Sequence, residues 1–268
     1  MTLDFDADPV IGMVHLPPLP GAPRFDGDRD AVRERAVADA ETLESGGVDA
    51  IVVENFGDAP FYPDSVPPHV VASMTDLVGR VARAVDLPVG VNVLRNDASA
   101  ALSVAAATDA ACIRVNVHTG ARVTDQGVIE GQAHETLRLR ERLDAEDVSV
   151  LTDVDVKHSA PLAGAEFDAE AVAEGVERGL ADGLIVSGVG TGHAVDLDHL
   201  REVVARRDRL DTGVPVLVGS GVTSDSVGEI LDVADGVIVG TALKEEGVTT
   251  NPVDEARVRD LVSAARTG

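Results

Sequence analysis

At 268 residues the chain is long enough to bury one large core and requires no second domain, so a single domain over residues 1–268 is expected. Its 22 basic residues against 47 acidic ones leave a formal charge of −25, which repels a phosphate backbone, excludes a nucleic-acid partner and points to halophilic adaptation. No run of eighteen apolar residues and no basic-then-apolar start in MTLDFDADPV is present, so neither membrane insertion nor export is expected and a cytoplasmic location is.

The first strand is expected after Asp8-Pro9-Val10, ending at Met13-Val14-His15, with a proline-rich loop to Asp26. A helix follows, with Val32, Ala36, Ala40 and Leu43 on one face, Asp28 as its cap and Gly46-Gly47 as its stop. The second strand, Asp49-Ala-Ile-Val-Val, ends at Glu54-Asn55. The third opens at Leu87-Pro88-Val89 and ends near Asn92, Arg95 and Asn96. The fourth, Asp109-Ala-Ala-Cys-Ile, presents Arg114, Asn116 and His118 at a spacing of two; its Cys112, the one cysteine, reads as a packed, inert thiol. The fifth starts at Val148-Ser-Val-Leu and continues so that Asp153, Asp155 and Lys157 share one face.

A helix capped by Asp168 with Val172, Val176 and Leu180 leads to the sixth strand, Asp182-Gly-Leu-Ile-Val, which runs into Ser187 to Gly192. The seventh, from Val214-Pro215-Val216, ends in Gly219-Ser220-Gly221-Val222. The eighth, Asp235-Gly-Val-Ile-Val, ends in Gly240-Thr241 and Lys244, before a helix opened by Asn251-Pro252. Two strand-opening phrases, Asp before an apolar run and X-Pro-Val, therefore alternate along the chain. Continuous apolar strands alternating with helices indicate a parallel sheet covered on both faces. Eight regular units with no edge strand favour a closed α/β (β/α)8 TIM barrel over a doubly wound open sheet.

In such a barrel the chemistry collects where strands end. The catalytic candidates are Lys157, Asp153, Asp155, His15, Glu54, Asn116 and His118. An amine beside two carboxylates suits proton transfer or imine formation, although a structural ion pair and hydrogen-bonded structural histidines would look the same. Glycine loops expose backbone N–H groups to an anion, so Gly190, Gly192, Gly219, Ser220, Gly221, Gly240, Thr241 and Lys244 are the phosphate-binding candidates. Twenty arginines and two lysines make Lys157 and Lys244 stand out, since both fall at strand ends. Magnesium held by Glu54, Asp153 and Asp155 is an alternative without a compact spacing motif.

The segments Ile11 to Pro23, Glu54 to Phe61 and Arg114 to Gly120 closely resemble the BtpA family. So do Asp153 to Ser159, Ser187 to Gly192 and Gly219 to Val222. The resemblance implies a ribulose-phosphate-binding-type barrel; photosynthetic members of the family are associated with photosystem I biogenesis. The expected function is an enzyme of isomerase or lyase type on a small phosphorylated metabolite, with strand-five Asp and Lys moving protons. The alternatives are a non-catalytic assembly or regulatory factor and a metal-dependent hydrolase using Glu54, Asp153 and His15. A homo-oligomer is left open.

Overall fold

The computed structural model describes residues 3, 5, 8–154, 156, 159–161, 172–188 and 195–267. In chain order the elements are β1 (Val10–His15), α1 (Arg29–Gly46), β2 (Ala50–Glu54), α2 (Pro68–Ala84), β3 (Val89–Asn92), α3 (Ala98–Thr108) and β4 (Cys112–Val115). Next come a hairpin of β5 (Ala121–Thr124) and β6 (Gly127–Glu130), then α4 (Ala133–Arg142), β7 (Ser149–Asp153) and β8 (Ser159–Pro161). A π-helical turn (Glu174–Arg178), β9 (Gly183–Val186), α5 (Leu197–Asp208), β10 (Val216–Val218), α6 (Val227–Leu231), β11 (Val237–Val239) and α7 (Glu255–Ala265) complete it.

Eight strands close a parallel barrel in the order β1-β11-β10-β9-β7-β4-β3-β2, the expected (β/α)8 architecture. Alternation along the strands divides the core in two. Ile11, Met13, Val52, Cys112, Leu151, Ile185, Leu217 and Ile238 belong to a cluster built from strand residues and fill the barrel. Their neighbours in sequence, such as Val10, Ile51, Val150 and Val186, pack outward against helix residues including Ala36, Leu43, Val78 and Leu200. Burial pushes the Cys112 thiol up to about 12, so it stays a protonated, packed side chain.

The recurring Asp phrase has a physical cause. Asp49, Asp182 and Asp235 each stand just before a strand and accept a hydrogen bond from a neighbouring strand's first amides, Val10 N, Val150 N and Val216 N, at 2.7–2.8 Å. Each carboxylate also receives an arginine: Arg266, Arg140 and Arg207 at 2.6–2.7 Å. The two-strand alternation is therefore a clamp in which the second strand's Asp pins the start of the first.

Helix ends follow local chemistry. Asp28 Oδ1 accepts from Asp30 N and Ala31 N to open α1, and Gly47 closes it at φ 94°. The last helix starts later than expected, because Asp254 rather than Asn251-Pro252 caps it. Two further expectations change, and one element is new. Strand β7 stops at Asp153, and Asp155 and Lys157 lie outside the described residues, as does the Asp168 cap. Leu180 leaves the buried face of Val172 and Val176, since the π-helical turn ends at Arg178 and Leu180, past its Gly179 cap, is exposed. Finally, β5 and β6 pair with β8 into a small antiparallel sheet, order β6-β5-β8, outside the barrel.

Candidate functional site

The strand ends surround one cavity of about 980 Å³. Gly219, Ser220 and Gly221 after β10 and Gly240 and Thr241 after β11 line it together with His15, Glu54, Arg95, Arg114 and Asn116. The glycines are demanded by geometry at two of these positions. A Cβ on Gly240 would lie 2.5 Å from His15 Cε1, and one on Gly219 would lie 2.5 Å from Ile185 Cγ2. Gly221 adopts φ 71°, which turns the chain sharply toward Thr223. Ser220 Oγ accepts from Gly188 N at 3.0 Å, tying the loops after β9 and β10 together.

His15, beside Gly240, and Glu54 are registered partners of β1 and β2, with Nε2 and Oε1 3.7 Å apart. The Phe56 ring packs against the imidazole at 4.9 Å between centroids. Asp153, expected to move protons, instead accepts from Arg114 Nη2 at 2.8 Å and from Asn116 Nδ2 at 2.6 Å, and its side chain is fully buried. Both its oxygens are engaged, so it serves as the anchor that aims Arg114 and Asn116. Burial works against the charge of Arg114, but Asp153 and Glu54 outweigh it and hold its pKa above the ordinary value. Burial dominates at Arg95 and lowers its pKa, against the raising effect of Asp153, Glu54 and Asp125.

Two expected site residues are elsewhere. Lys244 is fully buried behind the barrel with Nζ 3.1 Å from Asp39 Oδ2 of α1, and it does not line the cavity. Its phosphate role is corrected to a structural ion pair; the exposed chain end that a phosphate needs is absent. His118 likewise turns away from the cavity, its Nε2 2.8 Å from the Gly179 carbonyl oxygen. Strand β4 ends at Val115; Arg114 within it and Asn116 just past it line the cavity, and by His118 the period of two no longer applies. Lys157, Asp155, Gly190 and Gly192 lie outside the described residues. Among the described residues no three His, Cys, Asp or Glu side chains converge to hold a metal.

Sequence reasoning placed Arg95 and Arg114 at strand ends without giving them a site role and did not single out Arg24 or Arg257; all four line the cavity. Arginine is too common in this chain for position alone to mark them, and only the strand-end placement of Arg95 and Arg114 was a usable signal.

A family model described as the BtpA family matches residues 6–267. A protein of Synechocystis sp. named photosystem I biogenesis protein BtpA is 48% identical over 261 residues, covering 97% of this chain and 89% of its own. An uncharacterized protein of Thermococcus kodakarensis is also 48% identical, over 98% of this chain and 97% of its own. Among solved structures, N-(5'-phosphoribosyl)anthranilate isomerase from Pyrococcus furiosus superposes with a TM-score of 0.58 at 16% identity, covering 97% and 98% of the two chains. Mycobacterium tuberculosis tryptophan synthase does so with a TM-score of 0.63 at 20% identity, covering 98% and 95%. At these identities the structural likeness speaks for the fold alone.

Proposed function

The chain belongs to the BtpA family, and from that premise we propose that it is an enzyme acting on a small phosphorylated metabolite by isomerisation or carbon–carbon bond cleavage. One observation carries the reading: two glycine loops and a cluster of ionisable groups open onto the same cavity. The phosphate would lie against the backbone of Gly219 to Gly221 and Gly240-Thr241, where glycine allows close approach. The name of the Pyrococcus furiosus isomerase specifies a phosphoribosyl substrate, which supports a ligand of that size.

In the same cavity, Glu54 beside His15 would take and return the proton, with Arg114 and Asn116 polarising the reacting group. Asp153 holds those two in place. Asp155, Lys157, Gly190 and Gly192 stay in the proposal on the sequence alone. A second reading, an assembly or regulatory factor that keeps ligand binding only, is favoured by the name of the Synechocystis relative. A cytoplasmic, halophilic setting is also proposed, its halophilic part supported by the charge of −25.

The test follows a phosphorylated ketose by proton NMR in deuterated water. The wild type is expected to exchange the hydrogen next to the carbonyl with solvent. Glu54→Gln should slow that exchange by roughly a hundredfold or more while inorganic phosphate still binds. Phosphate binding without any exchange, across a panel of phosphometabolites, would favour the assembly reading.

A further inference from the structure

The cavity is larger than phosphate binding and proton transfer require. Its volume of about 980 Å³ lies at the top of the roughly 300–1,000 Å³ that enclose whole drug-sized ligands, so a five-carbon sugar phosphate leaves part of it unfilled. Barrel order divides the rim. The glycine loops follow β10 and β11, β11 adjoins β1, and the loops after β1, β2 and β3 come next. Those three loops bring Pro17, Pro18, Phe56, Ala59, Phe61 and Leu94 to the cavity.

Two of these side chains are of a rare kind. The chain has five Phe, one Tyr and no Trp. Phe5 and Phe25 pack against the core clusters, whereas Phe56 and Phe61 join none among the described residues and are only half-buried. Apolar rings gathered at a partly open surface mark a place that binding covers. The loops that carry them are fastened together. Gly57 N donates to the Leu16 carbonyl oxygen at 3.0 Å, and Leu19 N and Asn55 Nδ2 donate to the Asp58 carboxylate at 2.8 and 3.0 Å. A Cβ on Gly57 would lie 2.4 Å from Pro18 N, so the two loops meet backbone to backbone. The His15 ring touches both this wall and the glycine loop: its centroid is 4.9 Å from that of Phe56, and its Cε1 lies 2.5 Å from where a Cβ on Gly240 would stand.

We propose that the loops after β1 and β2 hold an aromatic ring carried by the phosphorylated ligand itself, which narrows the substrate class to a phosphorylated compound bearing a flat ring. This subsite rests on the phosphate reading given above. Phenyl and prolyl faces suit a flat ring, which buries area against them with little rotamer freedom to lose. Glu54, Arg114 and Asn116 are left for the segment between ring and phosphate. Binding energy gathered at both ends of the ligand then holds the reacting carbon in place.

The test titrates the full-length chain by calorimetry with inorganic phosphate, ethyl phosphate, 2-phenylethyl phosphate and 2-cyclohexylethyl phosphate. The wild type should bind 2-phenylethyl phosphate about tenfold or more tightly than ethyl phosphate, the gain expected from burying a phenyl ring. The puckered cyclohexyl ring should gain about threefold less. Inorganic phosphate should compete with 2-phenylethyl phosphate. Phe61→Ala should lose most of the ring's gain while binding ethyl phosphate as the wild type does. Equal binding of 2-phenylethyl and ethyl phosphate by the wild type, with phosphate still bound, would overturn the ring subsite alone. An equal gain from the cyclohexyl ring would overturn its aromatic character, and an undiminished gain in Phe61→Ala its placement. Failure of the wild type to bind any of the four would overturn the phosphate reading beneath it.

Discussion

Lys244 and Asp39 form a pair 3.1 Å apart in which both side chains are nearly or wholly sealed from water. Asp39 also accepts from Arg35 Nε and from Val253 N, both at 2.9 Å, so one carboxylate ties α1 to the chain after β11. Removing it strands the Lys244 ammonium in the interior. Asp39→Ala is therefore expected to cost about 3–5 kcal/mol of stability, read from chemical denaturation, and a loss under about 1 kcal/mol would contradict the buried-pair account. Rarity of lysine rightly singled out a residue after a strand, but its burial was not legible. The four-carbon stem that lets a lysine reach a solvent phosphate lets it equally reach inward to a carboxylate. Gly219 and Gly240 were legible as cavity-lining residues because each directly follows a short apolar strand run.

At the scale of elements, the barrel strands were legible because each is a short apolar run, seven of the eight introduced by a recurring Asp or Pro phrase, and three of those Asp residues turn out to clamp the adjacent strand. The β5–β6 hairpin was not. Its strands bury little, with Ile129 clustering with Val117 and Val156 among the described residues, so no apolar run announces them. His118 joins this region to the π-helical turn through the Gly179 carbonyl. Burial lowers its pKa below the ordinary 6.5, more than the Gly179 bond and Asp182 raise it. The unfolded chain then binds a proton that the folded chain resists, so stability is full above the unfolded value and is lost as pH falls through it. Urea midpoints from about pH 8 to about pH 5 should fall in the wild type and fall less in His118→Gln; parallel curves would contradict this.

For the whole molecule, a charge of −25 makes self-repulsion a general term in the stability. Molar potassium chloride shortens the screening length to about 3 Å and should raise Tm in a continuous curve, whereas a Tm that stays flat or falls would remove repulsion as a determinant. The same charge sharpens the meaning of the cavity, where Arg24, Arg95, Arg114 and Arg257 gather in an otherwise acidic chain. Barrel closure brings them together from four distant stretches of sequence, which is why composition could not reveal the gathering. The most direct measurement is the electron density of crystals soaked with ribulose 5-phosphate. The phosphate is expected against the backbone of Gly219 to Gly221 and Gly240-Thr241, with the sugar extending toward Glu54. A phosphate seated elsewhere in the molecule, or an unaltered cavity at saturating ligand, would contradict the proposed function.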